Sequence, residues 1–309
     1  MALQDTCAAP LARAVAARGQ CRTAARGRWA DYSASMSVTT TRLALATGAP
    51  IPQIGLGVYQ SPPGAATRKA VAMAIELGYR HIDTARIYGN EADAGAAIKA
   101  GAVPRDQIFV TTKLWNDDHG YDQALRALDT SLRRLDLEYV DLYLLHWPVP
   151  GKRQDSWRAL ERAFADGRAR AIGVSNYLVP HLRELLGEAK IVPHVNQIEL
   201  SPFLQRRDTC ALCREHGIIV EAYSPLTQGQ RLGHPTVVAI ARAVGRSPAQ
   251  VLLRWGIQHG FVVLPKSVHR ERIAENAAVF DFTLDAAAMA KLDGLEEGLT
   301  VGWDPDGAP

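Results

Sequence analysis

From Thr40 onward the chain alternates between two hydrophobic periods. Short apolar runs read as strands: IGLGV (54–58), RHID (80–83), IFVTTK (108–113), VDLYLLH (140–146), ARAIGV (169–174), HVNQIE (194–199), IIVEAY (218–223) and FVVLPK (261–266). Between them apolar residues return every three or four positions. That spacing predicts helices over 64–77, 91–100, 122–134, 154–166, 179–189, 207–216, 236–244 and 248–258. Ser247 followed by Pro248 makes a good helix start, and Gly78, Gly101, Gly167 and Gly217 punctuate element ends. Ahead of the first run, TRLALA, ATG and PIPQI predict a short hairpin turning at Thr47 and Gly48.

Eight strands alternating with helices imply a (β/α)8 TIM barrel, with the hairpin at the barrel bottom. A doubly wound sheet is the rival architecture, and it asks for GxGxxG after an early strand. Gly55 and Gly57 supply only the first half, and Gln60 stands where the third glycine belongs. In a barrel the chemistry collects at the C-terminal strand ends. Asp83, Lys113 and His146 all fall there, and Tyr88 follows in the loop after RHID. So do Ser175 and Asn176 after the fifth run, Gln197 near the end of the sixth, Tyr223 and Ser224 after the seventh, and Lys266 and Ser267 after the eighth.

An acid, a phenol, an amine and an imidazole at one barrel mouth make a proton donor with its own pKa control. A phenol near pKa ~10 is a poor acid at neutral pH, and a buried ammonium beside it is expected to lower that value. Taken singly, each residue has an ordinary reading: a strand-end Asp as a helix cap, a Tyr before Gly as a loop anchor, a Lys or His as structural or exposed.

Composition narrows the class. The 309 residues are 47% hydrophobic and include six Trp, which fits a well-cored globular enzyme. No apolar run approaches the ~20 residues of a membrane helix. The net charge is +3, and residues 1–35 carry all of it, with five arginines (Arg13, Arg18, Arg22, Arg26, Arg28) against Asp5 and Asp31. The rest is balanced, so no basic field points to nucleic acid. This Ala/Arg-rich leader lacks a secretory apolar core and reads as a translated upstream region with Met36 as the start, a disordered tail or a transit peptide. The working domain is thus expected over residues 36–309. Four cysteines are too few for a disulfide framework, and Cys7 and Cys21 lie in the leader. Cys210 and Cys213 form a CxxC on a predicted helix, readable as a redox pair, half a zinc site or two ordinary helix residues.

Six segments carry a family pattern in order: GYRHIDTA-x-x-YGNE, TTKLWN, VDLYLLHWP, AIGVSNY, VNQIELSP and VLPKSV-x-x-x-R-x-x-EN. From about Thr40 to Asp306 the chain resembles the aldo-keto reductase family. KLWNDDHG, SNYLVPHL, SPAQVLLRW and VFDFTL resemble most the bacterial 2,5-diketo-D-gluconate reductases within it. The resemblance implies a cytoplasmic, monomeric, NADPH-dependent reductase of small carbonyl compounds, needing no metal. Tyr88 is then the proton donor, Lys113 paired with Asp83 lowers its pKa, and His146 orients the carbonyl. It further implies that Ser175, Asn176 and Gln197 bind the nicotinamide carboxamide and that Tyr223 stacks on its ring. Ser224 and Leu226 line the pyrophosphate path. Lys266, Ser267 and Arg272 hold the 2′-phosphate, with Glu275 and Asn276 near the adenine. Tyr59, Trp115 and Trp147 wall the substrate pocket.

Departures bear on substrate. Arg86, where relatives carry a small or neutral residue, either faces solvent or recruits an anionic substrate. Ser201 replaces a His common in IELHP. The tail after Leu295 is short, so an open pocket is expected. Two rivals remain. His81, Asp83 and His146 could imitate a metal-dependent barrel hydrolase, although no further well-placed carboxylate is evident. The same fold could also serve as a non-catalytic NADPH-binding sensor.

Overall fold

The structure, a computed structural model, describes residues 37–305. The expected leader, with Cys7 and Cys21, lies outside the described residues, and so do residues 306–309. The hairpin expected at Thr47 and Gly48 is β1 (Arg42–Ala44) and β2 (Pro50–Pro52), paired antiparallel. Gly48 turns it with φ +81°, a left-handed conformation that favours glycine.

Eight parallel strands follow, each bonded to the next in chain order: β3 (Leu56–Gly57), β4 (His81–Asp83), β5 (Phe109–Leu114), β6 (Leu142–Leu145), β7 (Ile172–Ser175), β8 (Val195–Glu199), β9 (Ile219–Tyr223) and β10 (Val262–Leu264). The sheet closes on itself. Ile54 bridges Val263 in parallel, and the Gly55 and Gly57 N–H groups donate to Val263 O and Pro265 O at 3.0 and 3.1 Å. All eight expected strands are present, most of them shorter than expected. Val140 and Ala169 pair with each other only as an isolated bridge, ahead of the regular ladder.

The eight expected helices are α1 (Ala65–Glu76), α2 (Glu91–Ala100), α3 (Tyr121–Leu135), α4 (Arg153–Ala165), α5 (Val179–Glu188), α6 (Arg207–Glu215), α7 (Pro235–Val244) and α8 (Pro248–Gln258). Ser247 caps α8 through a reciprocal pair with Gln250, as serine before proline implies. Two further helices, α9 (Arg270–Ala277) and α10 (Ala286–Asp293), lay outside the predicted set. Their apolar signal is thin: α9 buries Ile273 and Asn276, and α10 buries only Leu292.

Strand alternation sorts the core into two layers. Phe109, Leu142, Leu144, Ala171, Val195 and Val262 pack together with Leu45 and Ile51 of the hairpin region, which plugs one end of the barrel. Their neighbours Val110, Tyr143, Leu145, Ile172, Val174, Val220 and Val263 belong to the larger layer that includes the helices. Beyond this hydrocarbon end, buried polar side chains line the strands from their middles to their C-terminal ends, with Thr111, Gln197 and Glu221 midway and Asp83 and Lys113 nearer the ends. Gly55 serves this arrangement, because a Cβ there would come within 2.8 Å of the His81 ring. Among the described residues no helix is long and apolar enough to cross a membrane.

Candidate active site

Asp83 ends β4, and the chain then makes a single 3-10 turn over Arg86–Tyr88. Gly89 stops the turn in the left-handed region (φ 68°). Asn90 pins the loop from beneath, donating to Val58 O at 2.9 Å and accepting from Thr84 Oγ1 at 2.9 Å. Tyr88 is thereby held against β5. Lys113 on that strand is fully buried, and its Nζ donates to Asp83 Oδ1 and Oδ2 at 2.7 and 2.8 Å and to Thr84 O at 2.9 Å. Its remaining reach is to Tyr88 Oη, at 3.4 Å. His146 follows β6, its N–H bonded to Leu114 O, and its ring meets Tyr88 edge-on at 5.7 Å. Asp83, Tyr88, Lys113 and His146, at or just beyond three strand ends within residues 83–146, thus converge.

The electrostatics differ in one respect from expectation. Burial raises the Tyr88 phenol well above its ordinary value, and the negative charge of Asp83 raises it further. The expected lowering by Lys113 does not prevail, since its charge is already matched by Asp83. Burial, then Lys113, hold His146 well below the usual imidazole range, so its ring is neutral at pH 7.

The candidate cofactor residues lie on the adjoining strand ends. Ser175, Asn176 and Gln197 are buried; Ser175 Oγ donates to Gln197 O at 2.8 Å, and Asn176 Nδ2 donates to His146 O at 3.0 Å. Tyr223 donates its hydroxyl to Asn176 Oδ1 at 2.8 Å. Gln197 Nε2 donates to both Asp83 Oδ2 (2.8 Å) and Glu221 Oε2 (2.6 Å). Ser224 is half-buried with φ 48°, and Leu226 packs against the main core. Beyond β10, Lys266 and Arg272 are exposed and make no ion pair among the described residues. Ser267 is buried and accepts the His269 N–H, ahead of α9, which carries Arg272, half-buried Glu275 and buried Asn276.

Aromatic rings lie around Tyr88 and His146. Tyr59 is 53% exposed and tilts 5.0 Å from Tyr88, while Trp115 meets His146 edge-on at 5.3 Å. Trp147 is buried. Sequence reasoning missed Trp303: it lies 6.3 Å from Trp115 and 5.8 Å from Trp147. The short tail therefore does reach the mouth, contrary to the expected open rim. Nothing in its spacing signals this, because the contact is made across the barrel. Arg86 is partly exposed, and its Nε pairs with Asp118 at 2.6 Å, tying two loops together.

Glu221 is the second residue missed. It is fully buried and 3.6 Å from His81. Its position two residues before Tyr223 was the available signal, since alternate strand residues share a face. His81 turns toward Thr111 (3.0 Å) and Glu221. No group of three or more His, Cys, Asp or Glu is placed to hold a metal among the described residues. Cys210 and Cys213 lie on the buried side of α6 as free thiols, and burial pushes them up to about 12 and about 11. Such thiols carry little thiolate at neutral pH, which suits packing better than redox work.

A sequence profile described as the Aldo/keto reductase family matches residues 53–297. A glyoxal reductase of Bacillus subtilis (strain 168) is 48% identical over 262 residues, covering 85% of this chain and 95% of that protein. A morphine 6-dehydrogenase of Pseudomonas putida is 49% identical over 276 residues, covering 84% and 93%. Among solved structures, a mutant of the protein Gox0644 in complex with NADPH superposes with a TM-score of 0.83 at 42% identity, covering 87% and 98%.

Proposed function

The chain belongs to the aldo/keto reductase family, and on that premise we propose an NADPH-dependent carbonyl reductase with Tyr88 as its proton donor. The observation that carries this reading is Lys113 Nζ, fully buried between the Asp83 carboxylate and the Tyr88 hydroxyl beneath an aromatic mouth. Bound NADPH supplies hydride to the carbonyl carbon. The chain's own residues manage the charge that appears on the carbonyl oxygen.

A phenol whose pKa is raised keeps its proton in the resting enzyme. A forming alkoxide is a far stronger base than phenolate, so transfer from Tyr88 Oη remains downhill. Lys113 stabilises the phenolate as it forms, from 3.4 Å. Asp83 holds that ammonium in place and offsets its burial. Neutral His146 orients the carbonyl by hydrogen bonding without adding a competing charge.

The residues present fit a dinucleotide. Gln197, Ser175 and Asn176 offer buried polar groups for a carboxamide, and Tyr223 offers a ring face. Ser224 and Leu226 would follow the pyrophosphate, and Glu275 and Asn276 the adenine. Lys266 and Arg272, exposed cations with no ion pair among the described residues, and the Ser267 hydroxyl suit a 2′-phosphate and favour NADP(H) over NAD(H). Tyr59, Trp115 and Trp147 would wall the substrate. The substrate class is small aldehydes, ketones or keto-sugar acids, with 2,5-diketo-D-gluconate among the candidates. The names of the relatives add glyoxal to the panel, and morphine as an alcohol to be tried in the reverse direction with NADP+. Residues 36–309 are taken as the working unit.

The test is loss of reduced-nicotinamide absorbance with NADPH or NADH over a panel of these carbonyl compounds. NADPH-dependent turnover supports the reductase. Tight NADPH binding without turnover on any member would turn the reading to a sensor.

A further inference from the structure

Beneath the Lys113–Asp83 pair lies a second carboxylate that the proposed reaction does not use. Glu221 on β9 is fully buried, and only one of its oxygens, Oε2, receives a hydrogen bond, from Gln197 at 2.6 Å. The same Gln197 nitrogen donates to Asp83 at 2.8 Å, so one amide group serves two carboxylates. The groups facing Glu221 can be counted by element. From β4 come His81, 3.6 Å from Oε1, and Asp83; from β5 comes Lys113; from β8 comes neutral Gln197. Tyr88 lies beyond Lys113. Lys113 is the single cation of this set, and both its short carboxylate contacts go to Asp83.

Two buried carboxylates therefore share one ammonium. An enclosed anion with one oxygen undonated is costly, and the cost vanishes if that carboxyl keeps a proton. Asp83 is held bidentate by Lys113, so the proton falls to Glu221 and its neighbour His81. Burial and Asp83 raise the Glu221 carboxyl, while burial and Lys113 lower His81 to about 3, so the proton sits on the carboxyl. With it the buried charge sums to zero.

That balance changes when a positive ring arrives. Glu221 is two residues from Tyr223 on one strand face and bonds directly to Gln197. We propose that the His81–Glu221 pair is the site's exchangeable counter-charge. It holds one proton while the nicotinamide is absent or reduced, and releases it to solvent when the oxidised, cationic form binds. The step is a simple ionisation, carboxyl to carboxylate plus a solvated proton, with no bond to the cofactor. It rests on the nicotinamide seat at Tyr223 and Gln197 proposed above. Glu221 is in this role a positioning residue for charge, acting through Gln197 and Asp83.

The experiment is titration calorimetry of the whole chain with NADP+ and with NADPH, in buffers of differing ionisation enthalpy. The expected result is release of about one proton at neutral pH with NADP+ and none with NADPH, the NADP+ Kd falling by up to about tenfold for each unit of rise in pH while free Glu221 is still protonated. Glu221→Gln should lose the release and weaken NADP+ about tenfold, leaving NADPH binding unchanged. Tyr88→Phe should keep the release, which separates carboxyl from phenol. Equal proton exchange with both cofactors, or release that survives Glu221→Gln, overturns the proposal. If Glu221→Gln does not fold, infrared difference spectra of the unmodified protein decide. A protonated-carboxyl band must disappear with NADP+ and persist with NADPH, and its absence overturns the proposal. Failure to bind either cofactor removes the functional reading as well, an outcome distinct from binding without proton release.

Discussion

Glu199 accepts the backbone N–H of Gly302 on Oε2 at 3.0 Å, while its Oε1 takes the N–H of Val301 at 2.6 Å. One carboxylate at the end of β8 thus holds the tail just before Trp303, whose ring reaches Trp115 and Trp147. Gln228 Nε2 adds a bond to Val301 O at 3.2 Å. A Cβ on Gly302 would come to 3.1 Å from Glu199 Oε2, so a small residue belongs there. Glu199→Ala removes two charge-assisted bonds, each worth about 1.5–3 kcal/mol. The expected outcome is a freed tail, faster proteolysis after Leu299, and a substrate KM raised about tenfold with NADPH affinity unchanged. Steady-state kinetics beside limited proteolysis checks this.

Tyr88→Phe removes the proton donor and leaves the ring. Reduction should fall by roughly 10²–10⁴-fold in kcat, the usual contribution of a positioned general acid. NADPH binding, read by fluorescence titration, should stay near that of the unmodified protein. Near-normal turnover would remove Tyr88 from its role.

The pH profile of reduction follows from two directions. Reduction needs Tyr88 protonated, a state present below its pKa and lost above it; that pKa is raised beyond its ordinary value. His146 must be neutral, a state lost only below a pKa that is itself lowered. kcat/KM for reduction should therefore be level through neutral pH and decline only on the alkaline side, above the ordinary phenol value of ~10. A fall centred near the ordinary imidazole value would contradict the neutral His146.

Acid stability carries its own sign. His81 and His119 are buried, and burial lowers them to about 3 and about 4. Between those values and the unfolded imidazole pKa of ~6.5, the unfolded chain binds protons that the folded chain refuses. Each of these histidines should take about 1.4 kcal/mol per pH unit from folding stability below pH ~6, while Glu221, whose carboxyl is raised by burial, adds stability as pH falls through neutral and offsets one of them. Urea titrations at pH 7 and pH 5 measure it, and His119→Asn should reduce the slope.

Arg272→Ala addresses cofactor choice. A cation that reads the 2′-phosphate should raise the NADPH KM by about tenfold or more and leave the NADH KM nearly unchanged. Equal effects on both cofactors would detach Arg272 from that phosphate.

The chain's own order determined the barrel and most of the candidate site. The strand runs are apolar with residues such as Asp83, Lys113 and Gln197 at their C-terminal ends, and in a closed parallel barrel those ends must face one mouth. The hairpin was equally local, needing only a turn glycine between two short runs. α9 and α10 were not legible from periodicity, because a helix that buries one or two side chains leaves little pattern. Three features belonged to tertiary structure alone. Trp303 reaches Trp115 and Trp147 across the mouth only because Glu199 holds its tail. Arg86 finds Asp118 on a different loop. The upward shift of Tyr88 depends on its burial and on the Asp83 carboxylate at the end of β4. Side-chain period is a property of neighbouring residues and survives in the sequence. Pairwise distance and desolvation are properties of the closed barrel, and only its three-dimensional packing sets them.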